Sequence, residues 1–126
     1  MGAGVSRVLV WVAVGGLGGV GACARVLLDV EVNRRLARPF PFGTMAVNVA
    51  GSFALGVLAG ADVTGDARLL AATATLGSFT TFSTWMLESV QLGRLHRTPA
   101  VWANLGISLL GGFAALLLGH LLGGAF

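Results

Sequence analysis

Four apolar runs follow one another along the chain, and each is long enough to cross a lipid bilayer. A membrane-spanning helix needs about 20 mainly apolar residues, and the runs cover approximately residues 5–28, 42–61, 69–90 and 100–124. Charged residues gather in the short connections between these runs. The pattern predicts an all-α membrane protein that forms a single four-span domain over residues 1–126. We expect such a multi-pass protein in the plasma membrane.

The first run also resembles a signal peptide. Arg7 precedes it, and Ala22-Cys23-Ala24 resembles a cleavage site. The run is long for a signal peptide and three more spans follow, so we expect it to remain as a membrane span.

Composition narrows the class of protein further. Of the 126 residues, 56% are hydrophobic and 10% are charged, whereas about a quarter of the residues of a soluble domain are charged. These values exclude a soluble domain and a disordered chain. The single cysteine excludes a disulfide framework and a cysteine-based zinc site. Because the sequence lacks a nucleophile–base set, a metal-ligand cluster and a phosphate-binding loop, we do not expect an enzyme, and nucleic acid is not an expected partner.

Glycine pairs four residues apart recur in three of the spans. They are Gly15/Gly19, Gly56/Gly60 and Gly119/Gly123. Small residues at this spacing let membrane helices approach closely, so we interpret most of the 20 glycines as packing residues. Four short spans have little interior in which to enclose a polar pathway, so the pattern favours self-association with a pathway at the interface.

Two spans carry an asparagine followed four residues later by a serine. Asn48 and Ser52 share one face of the second span, and Asn104 and Ser108 share one face of the fourth. An amide at membrane depth must find hydrogen-bond partners. One interpretation is a hydrogen bond between helices, and the other is a donor to an anion in a pore. Two such stripes favour a shared polar track.

The third span contains a cluster of small polar residues near its middle. Gly77 is followed by five hydroxyl residues, namely Ser78, Thr80, Thr81, Ser83 and Thr84. Serine and threonine hydroxyls compete with the helical hydrogen bonds, and non-helical backbone at membrane depth survives only when it is buried or lines a cavity. We therefore predict a helix break whose free carbonyls could hold a hard cation such as Na⁺. The alternative is a continuous helix with hydroxyls bonded to its own backbone.

Four further residues have both a structural and a functional interpretation. Phe82 and Trp85 are three residues apart and share a helix face; they pack in the membrane, or a ring edge, which is positive, assists a small anion. Arg25 and Glu88 lie near the ends of spans. Each is either an interfacial residue or a group with a role in structure or in admitting an anion.

At these residues the chain resembles the Fluc (CrcB) family of fluoride channels, over essentially its whole length. The first-span glycine motif ends at Arg25, and the second-span motif covers residues 43–53. Thr80-Thr81-Phe82-Ser83-Thr84 is nearly the family's third-span hallmark, and residues 104–112 resemble its fourth-span polar stripe. The four pieces occur in the family's order, which makes the resemblance specific.

The resemblance implies antiparallel dimers of four-span subunits, with two pores along the subunit interface and passive exit of fluoride from the cytoplasm. It also implies a structural Na⁺, held at the third-span break by backbone carbonyls of both subunits, which here fall on Gly77 and Thr80. The implied anion pathway falls on Asn48, Phe82, Trp85, Thr81, Ser83, Thr84, Ser108 and Asn104. Arg25 and Glu88 fall at positions that the family also uses, as structural or entrance residues.

Three residues depart from the family pattern. Trp85 replaces the second phenylalanine of the aromatic box, and its larger ring and indole N–H predict a pore that conducts differently or not at all. Ser78 replaces a glycine, and its Cβ narrows the backbone conformations open to the break. Asn104 stands where the family often has tyrosine.

The arginines indicate a preferred orientation in the membrane. Arg7 and Arg68 lie on one side, while Arg34, Arg35, Arg38, Arg94 and Arg97 lie on the other. Since arginine is enriched in cytoplasmic connections, the termini are predicted to lie outside. Such a subunit would pair with an oppositely oriented homologue as a heterodimer. The competing interpretation is a homodimer of subunits inserted both ways.

Two other classes of membrane protein also have four spans. A small multidrug-type transporter would need a membrane-embedded carboxylate to exchange protons for a cation, and the first, second and fourth spans contain none. A structural or non-conducting partner subunit would leave the polar stripes without a pathway.

Overall fold

The structure is a computed structural model that describes residues 2–125, so Met1 and Phe126 of the predicted domain lie outside the described residues. Every regular element in this range is helical, which confirms the all-α class. The elements are α1 (Gly2–Leu36), α2 (Phe42–Gly60), α3 (Gly65–Arg68), a π-helix (Leu69–Leu76), α4 (Gly77–Phe79), α5 (Ser83–Arg94) and α6 (Thr98–Gly124).

Three helical stretches are long and apolar enough to cross a membrane: Ser6–Leu36, Phe42–Gly60 and Thr98–Gly124. The first is longer than predicted, because α1 continues to Leu36 instead of ending near residue 28. Glu31 accepts hydrogen bonds from Arg34 at 2.7 Å and from Arg35 at 2.6 Å, and pairs at this spacing stabilise a helix. Glu31, Arg34 and Arg35, which we expected in a connection, therefore lie on a helical extension, whereas Arg38 follows the end of the helix.

The third predicted span is divided, as the sequence predicted, and the break falls at residues 80–82. Thr80 has an extended conformation, with φ −79° and ψ 159°, directly after α4. The eight-residue π-helix before the break was not predicted. In it, the Thr75 hydroxyl donates to the carbonyl of Leu70, five residues earlier, at 2.8 Å.

Helix α2 packs most extensively against α6, and glycines form the contact. Gly56 and Gly60 face backbone carbonyls of α6, while Gly119 and Gly123 face backbone carbonyls of α2. The two backbones approach so closely that a Cβ atom at any of these four positions would overlap the opposite helix. The close contact predicted for these two pairs is therefore confirmed.

Helix α1 packs against the π-helix, α4 and α2. Ser78 lies against α1 at Gly18 and Gly21, where a Cβ at either glycine would come within 3.2 Å of the Ser78 side chain. Ser78 thus remains helical and points toward α1. The third glycine pair, Gly15 and Gly19, has no heavy atom of the described residues within 4 Å of its Cβ positions, so its predicted packing is not seen within the subunit.

The interior of the described subunit is more polar than apolar. Its buried apolar side chains are Val47, Ala74 and Leu92, and its buried polar side chains are Thr44, Thr81, Ser89, Asn104 and Ser108. Large apolar side chains of α1 and α6 are exposed, which suits helices surrounded by lipid. The buried polar side chains gather around the break.

Contacts at the two ends of the bundle agree with the assignment of sides. The Arg7 guanidinium lies 3.5 Å from the Asp66 carboxylate, so the start of α1 is beside α3. At the opposite end, the N–H of Gly43 donates to the Asn33 side chain at 3.0 Å. The start of α2 is thus capped by a residue from the end of α1.

Candidate functional site

The Asn48 side chain holds the broken segment of the third span. Its Nδ2 donates to the carbonyl of Thr81, and its Oδ1 accepts the N–H of Thr81, both at 2.8 Å. A buried backbone group needs a partner, and the amide of asparagine offers a donor and an acceptor much as a peptide group does. The predicted hydrogen bond between spans is therefore present, and one N–H of Nδ2 remains for another partner.

The break changes the partners of two backbone N–H groups. In a continuous helix these groups would donate to the carbonyls of the predicted sodium ligands, Gly77 and Thr80. In a helix the N–H of Thr81 would bond to the carbonyl of Gly77, but it bonds to Asn48 instead. The N–H of Thr84 would likewise bond to the carbonyl of Thr80, but it bonds to the Thr81 hydroxyl at 3.2 Å. Both carbonyls therefore lose their helical partners, and oxygen donors of this kind suit a hard cation.

A groove of about 450 Å³ lies beside the break, lined by residues of α2, of both halves of the broken third span and of α6. Seven of the predicted site residues line it: Asn48, Gly77, Thr80, Thr81, Phe82, Trp85 and Ser108. Ser52 of the second-span stripe also lines the groove, as do Leu109, Gly112, Phe113 and Leu116 of α6. Phe113 and the two leucines were not predicted. Ser108, Gly112 and Leu116 are spaced four residues apart, which places them on one face of α6. From Ser108, this spacing could have identified the other two as site residues.

The two aromatic residues of the groove contact each other. The Phe82 and Trp85 rings lie 5.8 Å apart at 84°, an edge-to-face arrangement. Phe82 is 70% exposed in the subunit. The Trp85 indole N–H donates to the backbone carbonyl of Asn104 at 3.1 Å, so it is already bonded within the subunit.

Asn104 lies behind the groove and does not line it. It is 1% exposed and its amide donates to the Ser89 hydroxyl at 2.9 Å. Ser83 is exposed and does not line the groove. The structure therefore does not bring these two predicted pathway residues, Asn104 and Ser83, to the groove.

A smaller cavity of about 150 Å³ lies on the other side of Thr81, and we call it the polar cavity. It is lined by Arg25, Val26, Asp29, Thr44, Val47, Thr81 and Thr84. The Thr44 hydroxyl donates to the Glu88 carboxylate at 2.7 Å, so Glu88 adjoins this cavity through Thr44. Thr81 lines both the groove and the polar cavity. Arg25 and Thr84 thus line the polar cavity, Glu88 lies next to it through Thr44, and none of the three lines the groove.

Comparison with known proteins gives consistent matches over most of the chain. The family model described as CrcB-like protein, Camphor Resistance (CrcB), matches residues 10–120. A Mycobacterium tuberculosis protein named Fluoride-specific ion channel FluC 2 is 48% identical over 113 residues, which cover 90% of each chain. A protein of the same name from Mycolicibacterium paratuberculosis is 46% identical over 92% of this chain and 95% of its own. Fluoride-specific ion channel FluC 1 of Symbiobacterium thermophilum is 39% identical over 90% of this chain and 96% of its own.

Proposed function

The chain belongs to the CrcB family, and from that premise we propose that it is a fluoride-selective passive channel that releases fluoride from the cytoplasm. The observation that supports this most directly is the gathering of seven predicted residues along one groove beside the helix break. The family consists of ion channels, which confirms that the chain is not an enzyme. The names of these relatives also favour a fluoride channel over the multidrug-type alternative.

The groove supports a pore that is completed by a second subunit. It is open at the subunit surface, and Phe82 projects from it with 70% of its surface exposed. Because the groove carries polar groups at membrane depth and is open at the surface, it needs a covering protein surface to form a closed pathway. In our proposal, an antiparallel partner covers this face and two pores run along the interface.

Replacement of water along the groove is the proposed basis of selectivity. Fluoride is small and strongly hydrated, so a pore must offer donors of comparable strength. Asn48 retains one N–H beyond its bond to Thr81, Ser108 supplies a hydroxyl, and the Phe82 ring offers a positive edge. These groups lie along one groove and so could act in succession.

The polar cavity is the proposed entrance to this pathway. Arg25 provides a positive charge there, and Thr44 and Thr84 provide hydroxyls. Because Thr81 lines both the polar cavity and the groove, an ion could pass from one to the other at this residue. Glu88, bonded to Thr44, would hold that hydroxyl and so influence the entrance.

The Gly77 and Thr80 carbonyls are the proposed ligands of a structural Na⁺. The N–H groups that would bond to these carbonyls in a continuous helix donate instead to the side chains of Asn48 and Thr81. Carbonyl oxygens are suitable ligands for this ion. One subunit offers two such carbonyls, so a complete set would require the partner. When bound, the cation would supply positive charge at the centre of the dimer, which favours anions nearby.

The arginine distribution supports a subunit whose termini lie outside. Five arginines lie on the side of the α1–α2 and α5–α6 connections, against two on the other. A biased subunit favours pairing with an oppositely oriented homologue, and the occurrence of FluC 1 and FluC 2 among the relatives' names fits paralogous pairs. A homodimer is the other arrangement.

The first prediction is that liposomes containing this chain release fluoride only when Na⁺ is present. The purified chain, alone and in parallel after co-expression with a FluC 1 homologue, is reconstituted into liposomes loaded with potassium fluoride, and in the preparation that conducts, efflux is followed with a fluoride electrode after valinomycin is added. We expect rapid efflux with Na⁺, and loss of efflux when N-methylglucamine replaces it. Chloride should stay inside.

The same assay separates the parts of the proposal. Efflux that continues without Na⁺ would contradict the sodium site, and chloride efflux would contradict selectivity. Efflux from the chain alone would contradict an obligatory heterodimer. Absence of efflux both alone and after co-expression with a FluC 1 homologue would overturn the channel function.

A further inference from the structure

Asn104 contacts two groove-lining residues although it does not line the groove itself. Its backbone carbonyl accepts the Trp85 indole N–H at 3.1 Å. Its side-chain oxygen accepts the Ser108 hydroxyl at 3.4 Å. Trp85 and Ser108 both line the groove, so one buried residue contacts two lining residues of the candidate pathway, one on α5 and one on α6.

A third contact fixes the orientation of the Asn104 amide. The Ser89 hydroxyl donates to the backbone carbonyl of Trp85 at 2.9 Å, so its oxygen is left to accept a hydrogen bond. The Asn104 Nδ2 donates to that oxygen at 2.9 Å. With Nδ2 directed to Ser89, the amide oxygen must face Ser108. The result is a closed set of hydrogen bonds between α5 and α6, formed by Trp85, Ser89, Asn104 and Ser108, which we call the Asn104 network.

Burial makes the Asn104 network costly to disturb. Asn104 is 1% exposed and Ser89 is 6% exposed, and a buried polar group without a partner is strongly unfavourable. The bond from Ser108 is the longest of the four, at 3.4 Å. The Ser108 hydroxyl is therefore the group in the network that is most easily turned toward the groove.

We propose that Asn104 is a positioning residue that holds the Trp85 ring as an aromatic wall of the groove and restrains the Ser108 hydroxyl. On this proposal, which rests on the proposed function for its effect on conduction, Trp85 contributes its ring and not its N–H to the pathway. An anion in the groove competes with the Asn104 oxygen for the Ser108 proton. The sequence predicted that Asn104 itself lines the pathway. In this proposal it lies behind the lining residues and acts through them.

The test uses two readouts, and the first does not depend on conduction. In a Trp11→Phe, Trp102→Phe background, Trp85 is the only tryptophan, and its quenching by acrylamide reports its packing. Asn104→Ala keeps the backbone carbonyl that accepts the Trp85 N–H, so it acts on Trp85 only through the lost bond to Ser89, whose hydroxyl donates to the Trp85 backbone. Asn104→Ala and Ser89→Ala are both expected to increase that quenching. Ser89→Thr keeps the hydroxyl and should match the parent, as should Gln91→Ala at an exposed amide of the same helix.

The second readout is fluoride efflux from liposomes with these variants in the natural background. Since each alanine variant removes buried hydrogen bonds of the Asn104 network, we expect efflux to fall about tenfold. Ser89→Thr and Gln91→Ala should conduct at the parental rate. Ser89 does not line the groove, so a loss of efflux in Ser89→Ala together with its rescue by Ser89→Thr supports an indirect role.

Each result decides one part of the proposal. Unchanged quenching in both alanine variants would overturn the Asn104 network. Increased quenching with parental efflux would overturn its role in the pathway. If the parent chain releases no fluoride under any condition, the proposed function fails, while the quenching comparison still decides whether Asn104 positions Trp85.

Discussion

Asn48→Asp is expected to abolish fluoride efflux from liposomes. The carboxylate would replace the N–H that donates to the Thr81 carbonyl, and it would place a negative charge beside the proposed anion path. Two like charges about 4 Å apart, at an effective dielectric constant of about 20, repel by about 4 kcal/mol. That energy corresponds to about a thousandfold in rate, so efflux should fall to the level of empty liposomes.

Asn48→Ala separates the effect of charge from the loss of the contact. It removes both hydrogen bonds to Thr81 without adding charge, so we expect partial loss of efflux, smaller than in Asn48→Asp. Gel filtration in detergent verifies that each variant keeps the parental elution volume. Parental efflux from well-folded Asn48→Asp protein would contradict the assignment of Asn48 to the anion path.

The helix break could be predicted from sequence, but its partner could not. A glycine and five hydroxyl residues in nine positions of an apolar span favour a break by local chemistry alone. Spacing of four residues places Asn48 and Ser52 on one helix face, yet it does not say what that face meets. The bonds to Thr81 join residues 33 positions apart, and only the packing of α2 against the broken span creates them.

The two asparagine–serine stripes show the same limit more sharply. Asn48–Ser52 and Asn104–Ser108 have identical spacing, so the sequence predicts the same role for both. In the structure Asn48 lines the groove, whereas Asn104 is buried against α5. The rotation of a helix about its axis is set by its neighbours, and α6 is apolar on nearly all sides. The pattern alone therefore left its orientation open.

Local sequence patterns did not predict two features of the structure, the π-helix and the environment of the first glycine pair. The π-helix at Leu69–Leu76 covers an apolar run without proline or glycine, and no residue there indicates a wider helical turn. The glycine spacing predicted α2–α6 contact correctly, but with the same spacing in α1, no heavy atom of residues 2–125 lies within 4 Å of the Cβ positions of Gly15 and Gly19. Spacing shows that close packing is allowed, and the fold decides where it occurs.

The largest effect on folding is expected from Gly119→Leu. A Cβ at Gly119 would overlap the Phe53 carbonyl and lie 3.0 Å from the Val57 nitrogen. Both neighbours are backbone of α2, so no side chain can move aside, and the helices would have to separate. Overpacking of a close contact typically costs about 1–3 kcal/mol, and separation would also loosen the contacts at Gly56, Gly60 and Gly123. We expect little monodisperse protein in detergent and loss of fluoride efflux.

Gly19→Leu is the matched control, because it makes the same change in another membrane-spanning helix. No described heavy atom lies within 4 Å of the Cβ position at Gly19, and an added leucine there would face lipid at little cost. Monodisperse yield and melting temperature should match the parent for Gly19→Leu and fall sharply for Gly119→Leu. Equal melting temperatures for the two variants would contradict the α2–α6 contact as the main packing surface. A folded Gly19→Leu protein that no longer forms dimers would instead place the Gly15/Gly19 face at the subunit interface, where the predicted glycine packing would then occur.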